Sequence, residues 1–89
     1  MPDPARVGRT SLQMLRAPTA AVYVWCNSML DYPRAIARHV NRNDLQIVAP
    51  EWLDSAHGLR DAIIVDHSCR LNDRIALFVE IHNQFRYGG

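Results

Sequence analysis

The residues best able to do chemistry in this chain stand in one short run, Asp66-His67-Ser68, directly after the apolar stretch Ala62-Ile63-Ile64-Val65. An acid, an imidazole and a hydroxyl in succession could bind a small polar ligand or support acid–base work, because imidazole changes charge near neutral pH. The apolar, β-branched run before them reads as a strand buried on both faces of a parallel sheet. The triplet then falls at the strand's carboxyl end, where open α/β sheets place their ligands. Other polar residues follow other apolar runs in the same way: Asn27 and Ser28 after one, Glu51 after another. If the third strand sits on the far side of the first, the crevice between them is a switch point, and Asn27, Ser28, Glu51, Asp66, His67 and Ser68 lie at that one edge as a candidate ligand site, with Asp66 and His67 as candidate catalytic groups. The plain alternative gives Asp66 to capping a loop or helix and His67 to the polar surface.

The elements that must position this edge can be read in order. Ala20 to Asn27 is a strand, with Val22, Val24 and Cys26 facing one way and Tyr23 and Trp25 the other. A helix follows from about Asp31 or Pro33 to Asn41, with Ser28 and Asp31 spaced as a capping box. Met29, Pro33, Ile36, Ala37 and Val40 make its inward stripe. Asp44 to Ala49 is the second strand, and strand–helix–strand fits a right-handed parallel crossover. Pro50 opens a short helix to about Ala56 that Gly58 closes, and a loop leads to Ala62–Val65 as the central strand. Asn72 or Asp73 caps a last helix to about Phe85, although the alternation Ile75, Leu77, Val79, Ile81 also fits a strand. The expected fold is therefore a minimal Rossmann-like α/β domain: three parallel strands with covering helices in the order β-α-β-α-β-α, and a fourth strand as the alternative for residues 75–82. Residues 20–87 form this domain. Residues 1–19, punctuated by Pro2, Pro4, Gly8 and Pro18, are a partly flexible lead-in segment in which Leu12, Met14 and Leu15 could form a short docking turn or a stray edge strand.

Composition removes several chemistries. All ten basic residues are arginine, so no side-chain amine is present for a Schiff base or a Walker-type phosphate loop. No glycines follow the first strand to cradle a phosphate. A formal net charge of +1 gives no general attraction to nucleic acid, which is an unlikely partner. No apolar run is long enough to span a bilayer and the amino terminus lacks a signal-peptide core, so a cytoplasmic protein is expected. Cys26, Cys69 and His67 are too few for a structural zinc site, and in that setting buried free thiols are expected rather than a disulfide. No metal and no cofactor is expected. Arg34, Arg38 and Arg42 repeat every four residues along one helix face. A solvated row is the plain reading and a partner-binding surface for an acidic or phosphorylated group the functional one.

Three segments resemble known families. Val22-Tyr-Val-Trp25, the helix after it, Leu45-Gln-Ile-Val-Ala-Pro50 and Asp61-Ala-Ile-Ile-Val65 resemble the first half of the nucleoside deoxyribosyltransferases, and Glu80-Ile81 resembles that family's glutamate segment. The resemblance implies a Rossmann-like fold, N-glycosidic bond cleavage, Glu80 as nucleophile and Asp73 as a sugar contact. The glycine-rich stretch that precedes the glutamate in that family is absent here. Ile47-Val-Ala-Pro-Glu-Trp-Leu-Asp-Ser55 is similar to the tryptophan segment of BRCT phosphopeptide-binding domains, but a strand and a helix still follow it. Gly88-Gly89 is similar to the ends of ubiquitin-like sulfur carriers, whose opening hairpin this chain does not show.

The functional expectation is a small non-enzymatic interaction module, such as an accessory protein of a virus or mobile element that binds a host macromolecule. A protein partner is expected, and a homodimer would enlarge the thin core of so short a chain. The alternative is a nucleoside- or nucleotide-binding protein or N-glycosidase-like enzyme using Asp66, His67 and Glu80.

Overall fold

The computed structural model describes residues 4–26, 29–56 and 58–87. Its elements are helix α1 (Pro4–Arg16), strand β1 (Val22–Val24), α2 (Asp31–His39), β2 (Gln46–Val48), the short α3 (Trp52–Ser55), β3 (Ile63–Val65) and α4 (Asp73–Tyr87). The strands form one parallel sheet in the order β2-β1-β3, with Tyr23 opposite Ile47 on one side and Ile64 on the other. Alternation along β1 divides the core into two layers. Tyr23 and Trp25 join Ile47 beneath Met14 of α1 and Ile36 and Ala37 of α2, while Val22, Val24, Val48 and Ile63 join Leu53 of α3 and Ile75 and Val79 of α4. The chain thus steps from β1 to β2 over one face and returns past β1 to β3 over the other. Reversing direction across a sheet while keeping one crossover hand requires that change of face.

The α/β class and the parallel sheet agree with the sequence; several local expectations do not. The strand Ala62–Val65, expected at the centre, is an edge, so Ile64 and Val65 are only half-buried and β1 is central. The stretch 75–82 is helix, not a fourth strand: Asn72 Oδ1 accepts the Ile75 N–H at 2.9 Å as an N-cap, and Ile75 and Val79 turn inward four residues apart. Helix α2 begins at Asp31 behind Leu30, with no side-chain cap; Ser28 of the expected capping box lies outside the described residues. Met29, expected on the inward stripe, precedes the helix and is 65% exposed.

The lead-in segment holds the largest departure. Residues 4–16 are helix α1, and its inward face is Thr10, Gln13, Met14 and Ala17, with Leu12 and Leu15 left outside. Among its described side chains the fully buried Met14 is the long apolar anchor, contributing roughly 1.5–3 kcal/mol. Polar contacts from Thr10 and Gln13 add to it. At its carboxyl end the chain turns through Ala20 at φ +61°, a left-handed conformation that costs a residue with a Cβ about 1–2 kcal/mol. The Ala20 N–H donates to Asp44 Oδ2 at 2.7 Å.

Candidate functional site at the carboxyl end of the sheet

Asp66 follows β3 directly and is 1% exposed, yet four donors surround it. Its Oδ1 accepts from Tyr23 Oη at 2.6 Å and from Thr10 Oγ1 at 3.0 Å. Its Oδ2 accepts from the Ser68 N–H at 3.1 Å and from Ser68 Oγ. The backbone closes the same turn, with the Cys69 N–H donating to the Asp66 carbonyl at 2.9 Å. Burial alone would raise the carboxyl, but the hydrogen bonds from Ser68, Tyr23 and Thr10 outweigh it and hold Asp66 below the usual carboxylate range. Tyr23 moves oppositely: burial, the hydrogen bond to Asp66 and that carboxylate's charge push its phenol well above the ordinary value. The result is a fixed carboxylate next to a fixed phenol, with both carboxylate oxygens taken.

Helix α1 supplies two further residues of the site, to which no sequence motif points. Gln13 Nε2 donates to the Val65 carbonyl at 3.0 Å, and Gln13 Oε1 accepts the His67 N–H at 2.7 Å. One amide side chain therefore grips the end of β3 from both directions. Thr10 gives its proton to Asp66, which leaves its oxygen to accept from His67 Nε2–H at 3.3 Å. His67 Nε2 lies 4.0 Å from Asp66 Oδ2. Thr10 and Gln13 are three apart and so share a helix face. That spacing was visible in the sequence; that the face points at Asp66 was not.

Beside this cluster the two cysteines are joined. Cys26 and Cys69 form a disulfide with Cα atoms 5.1 Å apart, inside the usual range for such bonds, so the expectation of two buried free thiols is corrected. The register explains it: Val24 lies opposite Val65, and Cys26 and Cys69 are the exits of those neighbouring strands. The chain leaves β1 toward α2 on one face and β3 toward α4 on the other. The crevice between the diverging exits, where a ligand was expected, is spanned by the disulfide and flanked by the Asp66 cluster.

The remaining candidates are not gathered there. Asn27 and Ser28 lie outside the described residues. Glu51 is exposed at the head of α3, after β2, with β1 between it and Asp66. Glu80 is exposed on α4, one turn before Asn83, whose side chain accepts from the N–H of Ile63 (2.9 Å) and donates to its carbonyl (2.7 Å), at the opposite end of β3. His82, beside it, lies 2.7 Å from the Asp61 carbonyl. Among the described residues no three His, Cys, Asp or Glu side chains gather where they could hold a metal ion.

The arginine row splits in two. Asn41, at φ +61°, ends α2 in a Schellman arrangement: the Arg42 N–H donates to the Ala37 carbonyl at 2.7 Å and the Asn41 N–H to that of Arg38 at 3.1 Å. This turn swings Arg42 off the row and onto the end of α1. Its guanidinium donates to the carbonyls of Met14 (2.5 Å) and Pro18 (3.0 Å) while pairing with Asp44 at 3.0 Å. It thereby satisfies carbonyls that a helix end leaves open and places a cation at the negative pole. The hydrogen bond from Arg42 and the Ala20 N–H lower the Asp44 carboxyl far below its usual range, and the same pair raises Arg42. Arg34 and Arg38 stay exposed on α2, without an ion-pair partner among the described residues, and line a groove of about 360 Å³ with Arg42, Asn43, Leu45, Gln46 and Ile47.

No helix among the described residues is long and apolar enough to cross a membrane. The resemblances to deoxyribosyltransferases, BRCT domains and sulfur carriers rest on the quoted segments alone: no protein-family model, curated protein or solved structure matches the chain.

Proposed function

We propose that this protein is a small non-enzymatic binding module that takes an acidic, extended protein segment along the open edge of β2. The observation that carries this reading is the groove between α2 and β2, where the exposed Arg34 and Arg38 stand over an edge strand. The Gln46 N–H donates to the Ala21 carbonyl and the Val48 carbonyl accepts from the Trp25 N–H, on either side of β1, so strand alternation turns the N–H and carbonyl of Ile47 outward. An incoming strand would hydrogen-bond there and set its carboxylates against the two guanidinia, the geometry of strand addition with charge selection. The expectation of an accessory protein acting on a host macromolecule takes this form here: an acidic segment of a host protein. The Rossmann-like description belongs to the same proposal, with the carboxyl-end crevice given over to structural side chains instead of a nucleotide. The expected cytoplasmic location stands against the Cys26–Cys69 bond, since disulfides persist chiefly in oxidising compartments.

The test is fluorescence anisotropy with a labelled peptide of alternating valine and glutamate, beside a scrambled lysine peptide and a short single-stranded DNA. The acidic peptide should bind with an affinity that falls with salt. Arg34→Glu combined with Arg38→Glu should weaken it at least tenfold, equivalent to about 1.4 kcal/mol. Unchanged binding in the double variant, or equal binding of the DNA, removes the reading.

A further inference from the structure

Among its described side chains helix α4 uses few to hold itself on the sheet: Ile75 and Val79 are the buried apolar ones, and Asn83 and His82 hook the start of β3. A second stripe is left in water. Leu77 is 56% exposed, Phe78 40%, Ile81 44% and Phe85 81%. Phe78, Ile81 and Phe85 follow a three-then-four spacing, the seam of a helix that packs against another helix. With Leu77 beside them, the exposed fractions of the four side chains amount to roughly 400 Å² of apolar surface, taking about 200 Å² for each whole side chain, the size of a monomer's largest and often functional patch.

The shape of this stripe says what covers it. Toward the amino end of α4 lies a hollow of about 230 Å³ lined by Leu53, Ala56, Ile75 and Phe78, with the Arg74–Asp54 ion pair at its rim. Phe85, the most exposed ring, stands at the other end of the same stripe, seven residues and about 10 Å beyond Phe78. Between them Phe78, Ile81 and Phe85 join Leu59 and His82 around a second hollow of about 340 Å³. A projection at one end of a patch and a hollow at the other is what a two-fold interface requires, because each copy must offer both halves of the fit.

We infer that two copies of this chain associate through antiparallel α4 helices, each seating Phe85 in the Leu53–Ala56–Ile75–Phe78 hollow of the other, with the two-fold axis near Ile81. The three seam residues carry no charge, so like charges do not meet on the axis. Homodimer interfaces are about 65% apolar, so roughly 400 Å² of apolar surface corresponds to about 600 Å² per copy and 1,200 Å² for the pair. That is the lower end of the range for specific interfaces, so the expected equilibrium is one that dilution can reverse. This surface lies on the opposite face of the sheet from α2, so the inference does not depend on the β2 groove.

Sedimentation velocity on the 10.2 kDa chain across a thousandfold concentration range should show monomer converting to a species of twice that mass. Phe85→Asp, at a position the fold itself hardly uses, should keep the far-ultraviolet circular dichroism and remain monomeric at every concentration. Ile81→Cys provides a second arm: air oxidation should give a covalent dimer on non-reducing electrophoresis. A wild-type chain that stays monomeric throughout overturns the inference. So does a dimer that survives Phe85→Asp, or one that Ile81→Cys does not cross-link.

Discussion

Replacing Asp66 tests how the carboxyl end of the sheet is held. In Asp66→Ala the hydroxyls of Tyr23 and Thr10, both on fully buried residues, lose their short bonds, and Tyr23 keeps only its longer contact to Gln13 Oε1 at 3.4 Å, while Ser68 is exposed and turns to water. A stranded buried group costs about 1–3 kcal/mol; with Thr10 stranded and Tyr23 left on a weak bond, the loss should be about 3 kcal/mol. A domain of this size has only roughly 5–15 kcal/mol in hand, so the variant should be close to unfolding. Asp66→Asn keeps one acceptor oxygen but loses the charge and turns a donor toward Ser68; about 2 kcal/mol is expected. Urea unfolding followed by the fluorescence of Trp25 and Trp52 measures both. With a slope near 1 kcal/mol/M, Asp66→Asn should lower the midpoint by about 2 M. The acid limb gives an independent check. Asp66 is lowered in the fold, so its contribution is present above the unfolded value near 4 and is lost as pH falls through the folded one. Asp66→Asn should remove that part of the acid sensitivity. Tyr23 is raised, so its share is complete below about 10 and is lost as pH climbs beyond. If Asp66→Ala costs no more than about 0.5 kcal/mol, as an ordinary surface change does, the carboxylate is not the hub described and its oxygens are free for other work.

Two further outcomes follow from the backbone and the cross-link. Reducing Cys26–Cys69 opens a loop spanning 43 residues, and the entropy of closing such a loop corresponds to about 4 kcal/mol; unfolding with and without reductant should differ by an amount of that order, and coincident curves would contradict it. Ala20→Gly should raise stability by about 0.5–1 kcal/mol, because relief of the left-handed strain at φ +61° exceeds the added freedom of glycine in the unfolded chain. A lower melting temperature in that variant would show that Ala20 is not strained.

The class of fold is legible along the chain, because that information is local. The Tyr23/Trp25 and Val22/Val24 alternation names the two faces of β1, Asn72 marks the start of α4, and Asn41 the end of α2. The exclusions from composition are equally local, since a missing lysine is missing in any fold. The use of each polar residue, by contrast, depends on which distant segments the fold packs against it. Thr10 and Gln13 lie more than fifty residues from Asp66 and His67, and no periodicity reveals that an apolar-poor helix docks through hydrogen bonds. Arg42 sits in register with Arg34 and Arg38 along the chain, but a single left-handed residue turns it onto the carbonyls that end α1. Cys26 and Cys69 become partners only because β3 pairs with β1, and their spacing alone allows no such inference. Helix or strand at 75–82 was undecided for a related reason: α4 carries apolar residues on two faces, one for its own sheet and one left outward, and that second face blurs both periods. Short-range pattern fixes backbone geometry, whereas the satisfaction of a buried donor or charge depends on whatever the fold brings within about 3 Å of it.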